Sequence, residues 1–155
     1  MIKVMFVCYG NICRSPMAEF LMKDYVKKMG KEKDFYIESS ATSYEEIGNP
    51  IYPPERKLLT DAGINCENKR AKKLLFEHYS EFDYFIGMDE NNRYTMKKFF
   101  KGDLDNKVSL ILDYSNSPRE VSDPWYTGNH KLAFDDILEG VKAFYKYLLD
   151  NGKII

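Results

Sequence analysis

Cys8 and Arg14 stand six positions apart, directly after a mostly apolar segment at residues 3–7. A loop between a strand and a helix directs backbone N–H groups and the positive end of the helix dipole at one point, which favours an anion there. The same field lowers the pKa of a thiol at that point, and the planar guanidinium of an arginine can hold two phosphoryl oxygens at once. The sequence therefore predicts a phosphate-binding loop, residues 8–15, with Cys8 as a thiolate nucleophile.

The other residues of this segment suit such a loop. Gly10 permits a tight turn, and Asn11 tolerates left-handed backbone angles better than most residues do. Ser15 can donate a hydrogen bond to the sulfur, and Pro16 fits the first turn of a helix because its missing N–H costs little there. We expect the loop to contact substrate through all its members between Cys8 and Ser15 other than Arg14, which are Tyr9, Gly10, Asn11, Ile12, Cys13 and Ser15 itself.

Packing and metal binding are the alternative roles for these cysteines. Cysteine is among the most commonly buried residues. Cys8 and Cys13 have a spacing that zinc ligands use, but a structural zinc site needs four ligands, and Cys66, His78 and His130 show no paired spacing. We therefore predict no metal. The role of Cys13 stays open between a packed thiol and a partner that traps oxidised Cys8 as a disulfide.

The elements that must position this loop follow from the alternation of strand and helix signals, which is typical of an α/β domain. Hydrophobic patterns predict strands at 3–7, 35–40, 84–88 and 109–112, and helices at 15–29, 55–62, from 89 onward and at 131–149. No repeat, linker or low-complexity segment is present, so we predict one domain, 1–155, with an open, mostly parallel sheet of about four strands flanked by helices. Such sheets bind ligands beyond the carboxyl ends of their strands, which is where the phosphate-binding loop follows the first strand.

Composition narrows the class of protein. The chain has 155 residues, a length typical of one domain, and a net charge of −1. No global charge favours nucleic acid, so recognition of an anionic substrate must be local. The odd number of cysteines and the absence of a signal-peptide pattern indicate a cytoplasmic protein. No apolar run is long enough to span a membrane, and we expect a monomer.

Residues 7–19, with the sequence VCYGNICRSPMAE, resemble the signature of the low molecular weight protein tyrosine phosphatases. The chain length and the order of its elements match that family along nearly the whole chain. The resemblance implies that Cys8 is the nucleophile, Arg14 the transition-state clamp and Asp123, in an Asp-Pro pair, the general acid. It further implies hydrolysis of phosphotyrosine in proteins or peptides and of small aryl phosphates, with inorganic phosphate as product and no cofactor.

Asp123 is also the best acid on chemical grounds. Cleavage of a phosphate ester needs a proton for the leaving oxygen, and the like charges of a phosphate and a thiolate favour a protonated carboxyl group beside them. Asp-Pro is also a common turn dipeptide, and Trp125 and Tyr126 could cap an edge of the core. We prefer the acid role because both histidines, His78 on an expected helix and His130 at the start of the last helix, are expected to lie at the surface.

Two segments depart from the family pattern. Glu45 stands where many members have an aromatic residue, with Tyr44 beside it. Residues 69–72 read Lys-Arg-Ala-Lys, where many members have His-x-Ala-Arg with a histidine that braces the loop asparagine. How Asn11 is held is therefore left open. The substrate pocket is expected to have a carboxylate at its rim and aromatic walls from Tyr9, Tyr44, Trp125 and Tyr126.

Other functions remain as alternatives. Arsenate reductases share this fold and loop but need two further cysteines near the middle of the chain, where only Cys66 is present. Protein arginine phosphatases of the family commonly have threonine at the position of Ile12. A non-catalytic module that binds phosphorylated ligands needs the loop without the nucleophile and the acid, and this chain has both.

Overall fold

The computed structural model describes all 155 residues and has a four-stranded parallel sheet at its centre. The strands are β1 (Ile2–Cys8), β2 (Phe35–Ala41), β3 (Tyr84–Gly87) and β4 (Val108–Leu110). They lie in the order β2-β1-β3-β4, and each neighbouring pair is parallel. The predicted fold class is confirmed.

Six α-helices surround the sheet. They are α1 (Arg14–Lys28), α2 (Pro53–Asp61), α3 (His78–Glu81), α4 (Glu90–Phe99), α5 (Pro124–Thr127) and α6 (His130–Asp150), and short 3-10 helices span Glu32–Asp34 and Ile111–Tyr114. The sequence predicted the bounds of α1, α2 and α6 and the start of α4 to within about two residues, and it also predicted a helix at His78, where α3 lies. It did not predict α5, which has one turn and is too short for a hydrophobic period to show in the sequence. No helix has both the length and the apolar character needed to cross a bilayer.

The core lies on both faces of β1, because successive side chains of a strand point to opposite faces. Val4 and Phe6 pack on one side into the larger cluster, which includes residues of α1 and α6. Met5 and Val7 pack on the other side into a smaller cluster that includes residues of α4. β1 is therefore fixed by burial on both faces, which gives its carboxyl end a rigid position.

The fourth strand is shorter than predicted. It ends at Leu110, and the chain turns into a 3-10 helix in which Asp113 Oδ2 accepts from Leu110 N at 2.9 Å. Ile111 then packs so closely on α6 that a Cβ at Gly140 would lie 2.5 Å from its side chain. The apolar residues 111 and 112 are buried, as expected of a strand, but they belong to the 3-10 helix.

Three chain segments meet at the carboxyl edge of the sheet. The phosphate-binding loop follows β1, Asp89 comes two residues after β3, and the segment with Asp123 follows β4 and its 3-10 helix. Val121 N donates to Met88 O at 2.9 Å, which ties this last segment to the end of β3. The topology thus brings together residues more than a hundred positions apart in the sequence.

Candidate active site

The phosphate-binding loop surrounds the sulfur of Cys8. The backbone N–H groups of Asn11 and Ser15 donate to Cys8 Sγ at 3.3 and 3.4 Å. The hydroxyl of Ser15 lies 3.0 Å from the same sulfur. Donors that converge at the N-terminus of a helix stabilise negative charge, so these surroundings suit both a thiolate and a bound anion.

The left-handed turn of this loop lies at Asn11, whose φ is 60°. Gly10, where the sequence predicted the tight turn, does not have a positive φ, but a Cβ there would lie 3.4 Å from the Glu46 side chain. A left-handed residue other than glycine costs about 1–2 kcal/mol. Asn11 offsets this cost with three hydrogen bonds of its side chain, and these involve Ser15, Ser39 and Lys72.

Arg14 is buried under the same loop, with its side chain only 4% exposed. Its NH1 donates to Asp89 Oδ2 and to Val121 O, both at 2.8 Å. Burial alone would lower the pKa of Arg14, but the negative charges of Cys8 and Asp89 outweigh that effect and raise it. The guanidinium is therefore a fixed cation held by the ends of two other segments of the chain.

Asp123 faces the same guanidinium. Its Oδ2 lies 3.4 Å from Arg14 NH2, and its Oδ1 accepts from Trp125 N at 3.0 Å as the N-cap of α5. The side chain is 30% exposed, so it reaches both the arginine and the solvent. The Asp-Pro pair thus forms a turn, and that turn directs the carboxylate towards the loop.

One cavity of about 150 Å³ lies between these groups. Its lining includes Cys8, Arg14 and Asp123, with Tyr9, Gly10, Ile12, Cys13, Glu45, Glu46, Trp125 and Tyr126 around them. Asn11 and Ser15 are buried members of the loop, and their side chains do not line the cavity. Tyr44 does not line the cavity. Tyr44 is 77% exposed and its ring centroid lies 5.1 Å from Lys73 Nζ, so the prediction that Tyr44 forms a wall of the substrate pocket is wrong.

Glu45 and Glu46 bring two carboxylates to the rim of the cavity. Tyr9 donates its hydroxyl hydrogen to Glu45 Oε1 at 2.7 Å, and this hydrogen bond raises the pKa of Tyr9. Tyr44 turns outwards next to these residues, which leaves Tyr9, Trp125 and Tyr126 as the aromatic side chains of the cavity. The rim therefore combines aromatic surface with negative charge.

Cys13 and His130 have neighbours that the sequence did not predict. Burial, and next the negative charge of Glu55, raise the pKa of the Cys13 thiol. His130 Nδ1 pairs with Glu55 Oε1, and the ring is only 22% exposed. The prediction that His130 is a surface histidine is therefore wrong.

Comparisons with known proteins agree with this geometry. The sequence model of the family described as low molecular weight phosphotyrosine protein phosphatase matches residues 3–153. The chain is 33% identical over 151 residues to the low molecular weight protein-tyrosine-phosphatase YfkJ of Bacillus subtilis. The alignment covers 96% of this chain and 94% of that protein. The chain belongs to this family.

Solved structures of relatives have the same fold as this family member. The crystal structure of YfkJ superposes with a TM-score of 0.92 over 97% of this chain and 96% of that chain, at 32% identity. A low molecular weight protein tyrosine phosphatase from Streptococcus pyogenes has a TM-score of 0.85 at 38% identity, covering 96% and 93%. A Drosophila arginine phosphatase has a TM-score of 0.86 at 26% identity, covering 94% and 97%.

Lys69 occupies the place where many phosphatases of this family have a histidine, and it braces Asn11 through Ser39. Lys69 Nζ donates to Ser39 O at 2.9 Å and lies 3.3 Å from Glu19 Oε1. Ser39 Oγ donates to the same carboxylate and accepts from Asn11 Nδ2 at 2.9 Å. Burial lowers the pKa of Lys69 and Glu19 partly opposes this, so a buried ion pair supports the left-handed turn.

Replacement of Lys69 by methionine is expected to weaken phosphate binding and to destabilise the fold by about 1–3 kcal/mol, because it leaves Glu19 and Ser39 O without this donor. Lys69→His is the matched control, since an imidazole restores a donor at the same place. Inhibition of turnover by inorganic phosphate, together with denaturant unfolding, measures both effects. Phosphate inhibition equal to that of the wild type in Lys69→Met would show that Asn11 does not depend on Lys69.

Several residues of the phosphatase site were missed in the sequence, and they share one feature. Each acts through a neighbour that is distant in the chain. Asp89 was predicted only as a helix start, and it does cap α4, with Oδ1 accepting from Asn92 N at 2.9 Å. Its other oxygen holds Arg14. The one signal for this role of Asp89 was its position after a strand, at the carboxyl edge of the sheet.

The structure holds no group of three or more His, Cys, Asp or Glu side chains that could bind a metal ion.

Proposed function

We propose that this protein hydrolyses phosphotyrosine, with Cys8 as nucleophile, Arg14 as transition-state clamp and Asp123 as general acid and base. The observation that carries the proposal is that these three side chains line one cavity, with the sulfur among the donors of the phosphate-binding loop. Membership of the phosphatase family supports it. The remaining groups of the cavity then select the substrate.

The first step forms a cysteinyl phosphate. The Cys8 thiolate attacks phosphorus in line, the bond between phosphorus and the phenolic oxygen breaks, and the carboxyl proton of Asp123 passes to that oxygen. Arg14 and the loop amides hold the three equatorial oxygens, which carry the charge in a loose transition state. Because Asp89 and Val121 O already orient the guanidinium, little reorganisation is needed when the phosphate binds.

The second step releases phosphate. A water molecule attacks phosphorus and gives its proton to the Asp123 carboxylate, while the bond between sulfur and phosphorus breaks. The Cys8 sulfur leaves as a thiolate, and the Ser15 hydroxyl at 3.0 Å donates to it. Inorganic phosphate is the product, and the enzyme returns to its starting state.

The aromatic rim favours an aryl phosphate. Trp125 is 57% exposed, and its ring lies 5.2 Å from the ring of Tyr52, so the indole has a defined position at the mouth of the cavity. A phenyl ring that stacks there gains about 0.5–1.5 kcal/mol per aromatic contact beyond area burial. Phosphoserine is too short to place its phosphorus at Cys8 without bringing the peptide backbone against these walls.

The direct test is dephosphorylation of matched peptides that carry phosphotyrosine, phosphoserine or phosphoarginine. We expect the highest kcat/KM for phosphotyrosine, and Trp125→Ala should narrow the gap to phosphoserine mainly through KM, because the indole contributes binding rather than chemistry. The phosphoarginine peptide tests the activity named for the Drosophila relative. Trp125→Phe is the matched control. An unchanged phosphotyrosine preference in Trp125→Ala would place the aromatic wall elsewhere.

The rim carboxylates are expected to favour basic residues beside the phosphotyrosine. Two charges about 4 Å apart interact by about 1 kcal/mol in water, so Glu45→Gln should lower kcat/KM for a peptide with flanking lysines by about fivefold. The substitution keeps an acceptor for Tyr9 while it removes the charge. p-Nitrophenyl phosphate has no flanking residues and serves as the control substrate, on which the variant should match the wild type. The effect should shrink at high salt; equal losses for acidic and basic peptides would exclude a charge effect.

A further inference from the structure

Glu55 is a fully buried carboxylate behind the phosphate-binding loop, and the catalytic steps above do not use it. Its side chain is 0% exposed, its Oε1 pairs with His130 Nδ1, and its Oε2 has no hydrogen-bond partner. A buried carboxylate is costly unless it is paired. The pairing with His130 is therefore a strong local constraint on this carboxylate, whose other side-chain neighbour is the Cys13 thiol of the phosphate-binding loop.

This pair joins the two elements that flank the site. Glu55 lies in the first turn of α2, where a negative charge is favourable. His130 is the first residue of α6 and follows the segment of Asp123 by only seven positions. The segment is short and internally tied, because Gly128 N donates to Pro124 O at 2.8 Å and Asn129 N donates to Thr127 Oγ1 at 3.0 Å. Residues 123–130, which we call the acid segment, therefore connect Asp123 to His130 through a short stretch of chain with its own hydrogen bonds.

Aromatic contacts of Tyr52 join the same two parts of the site as the ion pair between Glu55 and His130. The ring of Tyr52 lies 6.0 Å from His130 and 5.2 Å from Trp125, and Tyr52 N donates to Ile12 O at 2.9 Å. Tyr52 thus touches the phosphate-binding loop and both ends of the acid segment. Two contacts, one polar and one aromatic, therefore link the phosphate-binding loop and α2 to the segment that carries Asp123.

We propose that Glu55 and His130 are positioning residues that hold the segment with Asp123 at the correct distance from the phosphate-binding loop. The inference rests on the proposed function, because it assigns the pair to the acid step of that reaction. Burial raises the pKa of Glu55 and His130 opposes this, which agrees with a carboxylate that depends on its histidine. Neither residue of the pair lines the cavity, so the pair does not touch the reacting atoms and its effect on the acid step passes through Asp123.

The test compares leaving groups, because a misplaced acid matters most when the leaving oxygen needs its proton. We expect His130→Ala to lower kcat/KM for phenyl phosphate about tenfold more than for p-nitrophenyl phosphate, in line with the cost of a small misplacement of a catalytic group. His130→Asn places an amide donor where Nδ1 lies and should restore most of the loss. His78→Ala, at the other histidine of the chain, is the matched control.

A double-mutant cycle distinguishes positioning from general loss of structure. If His130 acts through Asp123, then His130→Ala should show no further leaving-group effect in the Asp123→Asn background, since coupled residues are not additive. The double substitution Glu55→Leu with His130→Leu leaves no buried charge unpaired, so its unfolding temperature should stay near that of the wild type. It should show the same leaving-group effect as His130→Ala. An equal loss for both substrates, or a wild-type leaving-group dependence in the Leu pair, would overturn the inference. A wild type inactive on p-nitrophenyl phosphate would instead overturn the proposed function.

Discussion

Cys8→Ser is expected to reduce turnover of p-nitrophenyl phosphate by about 10⁴-fold or more while phosphate still binds, because the nucleophile is lost and the anion site is not. A serine hydroxyl stays protonated at neutral pH and no histidine lies among the lining residues to act as its base. The donors of the loop and the guanidinium of Arg14 do not depend on the sulfur. Steady-state kinetics and calorimetric titration with phosphate or vanadate measure the two properties separately.

Cys66 provides the matched control for this substitution. It is also a free, buried cysteine, but it lies outside the cavity. Cys66→Ser should therefore retain the turnover of the wild type, apart from a change in stability. Hydrolysis by Cys8→Ser at a rate near that of the wild type would exclude the covalent mechanism, and loss of phosphate binding would show that the serine had disturbed the loop.

The fold was predictable because its strongest signals are local. Residues 4–8 of β1 are a continuous apolar run, as expected for a strand buried on both faces, and the helices with long hydrophobic periods were predicted near their true bounds. The end of β4 was not predicted correctly, since the apolar residues 111 and 112 suit a buried strand and a buried 3-10 helix equally well. There the turn depends on Asp113 and on the close approach of Gly140, which are contacts that periodicity does not record.

The candidate site divides in the same way. Residues within the loop, such as Asn11 with its left-handed backbone, could be assigned from their types and spacing. The orientation of Tyr44 could not be predicted. A shift of one position decides which of the neighbours Tyr44 and Glu45 faces the cavity, and in the structure Glu45 faces it. Asp89, Lys69 and Glu55 were also out of reach, since each acquires its role from a partner brought near by the parallel topology.

Asp123→Asn is expected to lower kcat for phenyl phosphate by about 10²–10⁴-fold, because general acid catalysis is lost while the anion site is kept. The substitution is well suited to the structure. Oδ1 of Asp123 caps α5 by accepting from Trp125 N at 3.0 Å, and asparagine is an equally good N-cap. The acid segment should therefore keep its conformation. The change removes a proton donor and a negative charge 3.4 Å from Arg14 NH2, so phosphate should bind at least as tightly as before.

The leaving group decides whether this loss reports proton transfer. A nitrophenolate departs with little help from an acid, so kcat/KM for p-nitrophenyl phosphate should fall much less in Asp123→Asn than kcat/KM for phenyl phosphate, which has the same ring. Asp61→Asn, at an exposed carboxylate of α2 paired with Lys57, is the matched control and should leave both values unchanged. Because Asp123 is also the proposed base of the second step, the variant should accumulate the cysteinyl phosphate, detectable as a burst of nitrophenol before steady turnover. Equal losses for the two substrates would remove Asp123 from the acid role and leave it as the cap of α5.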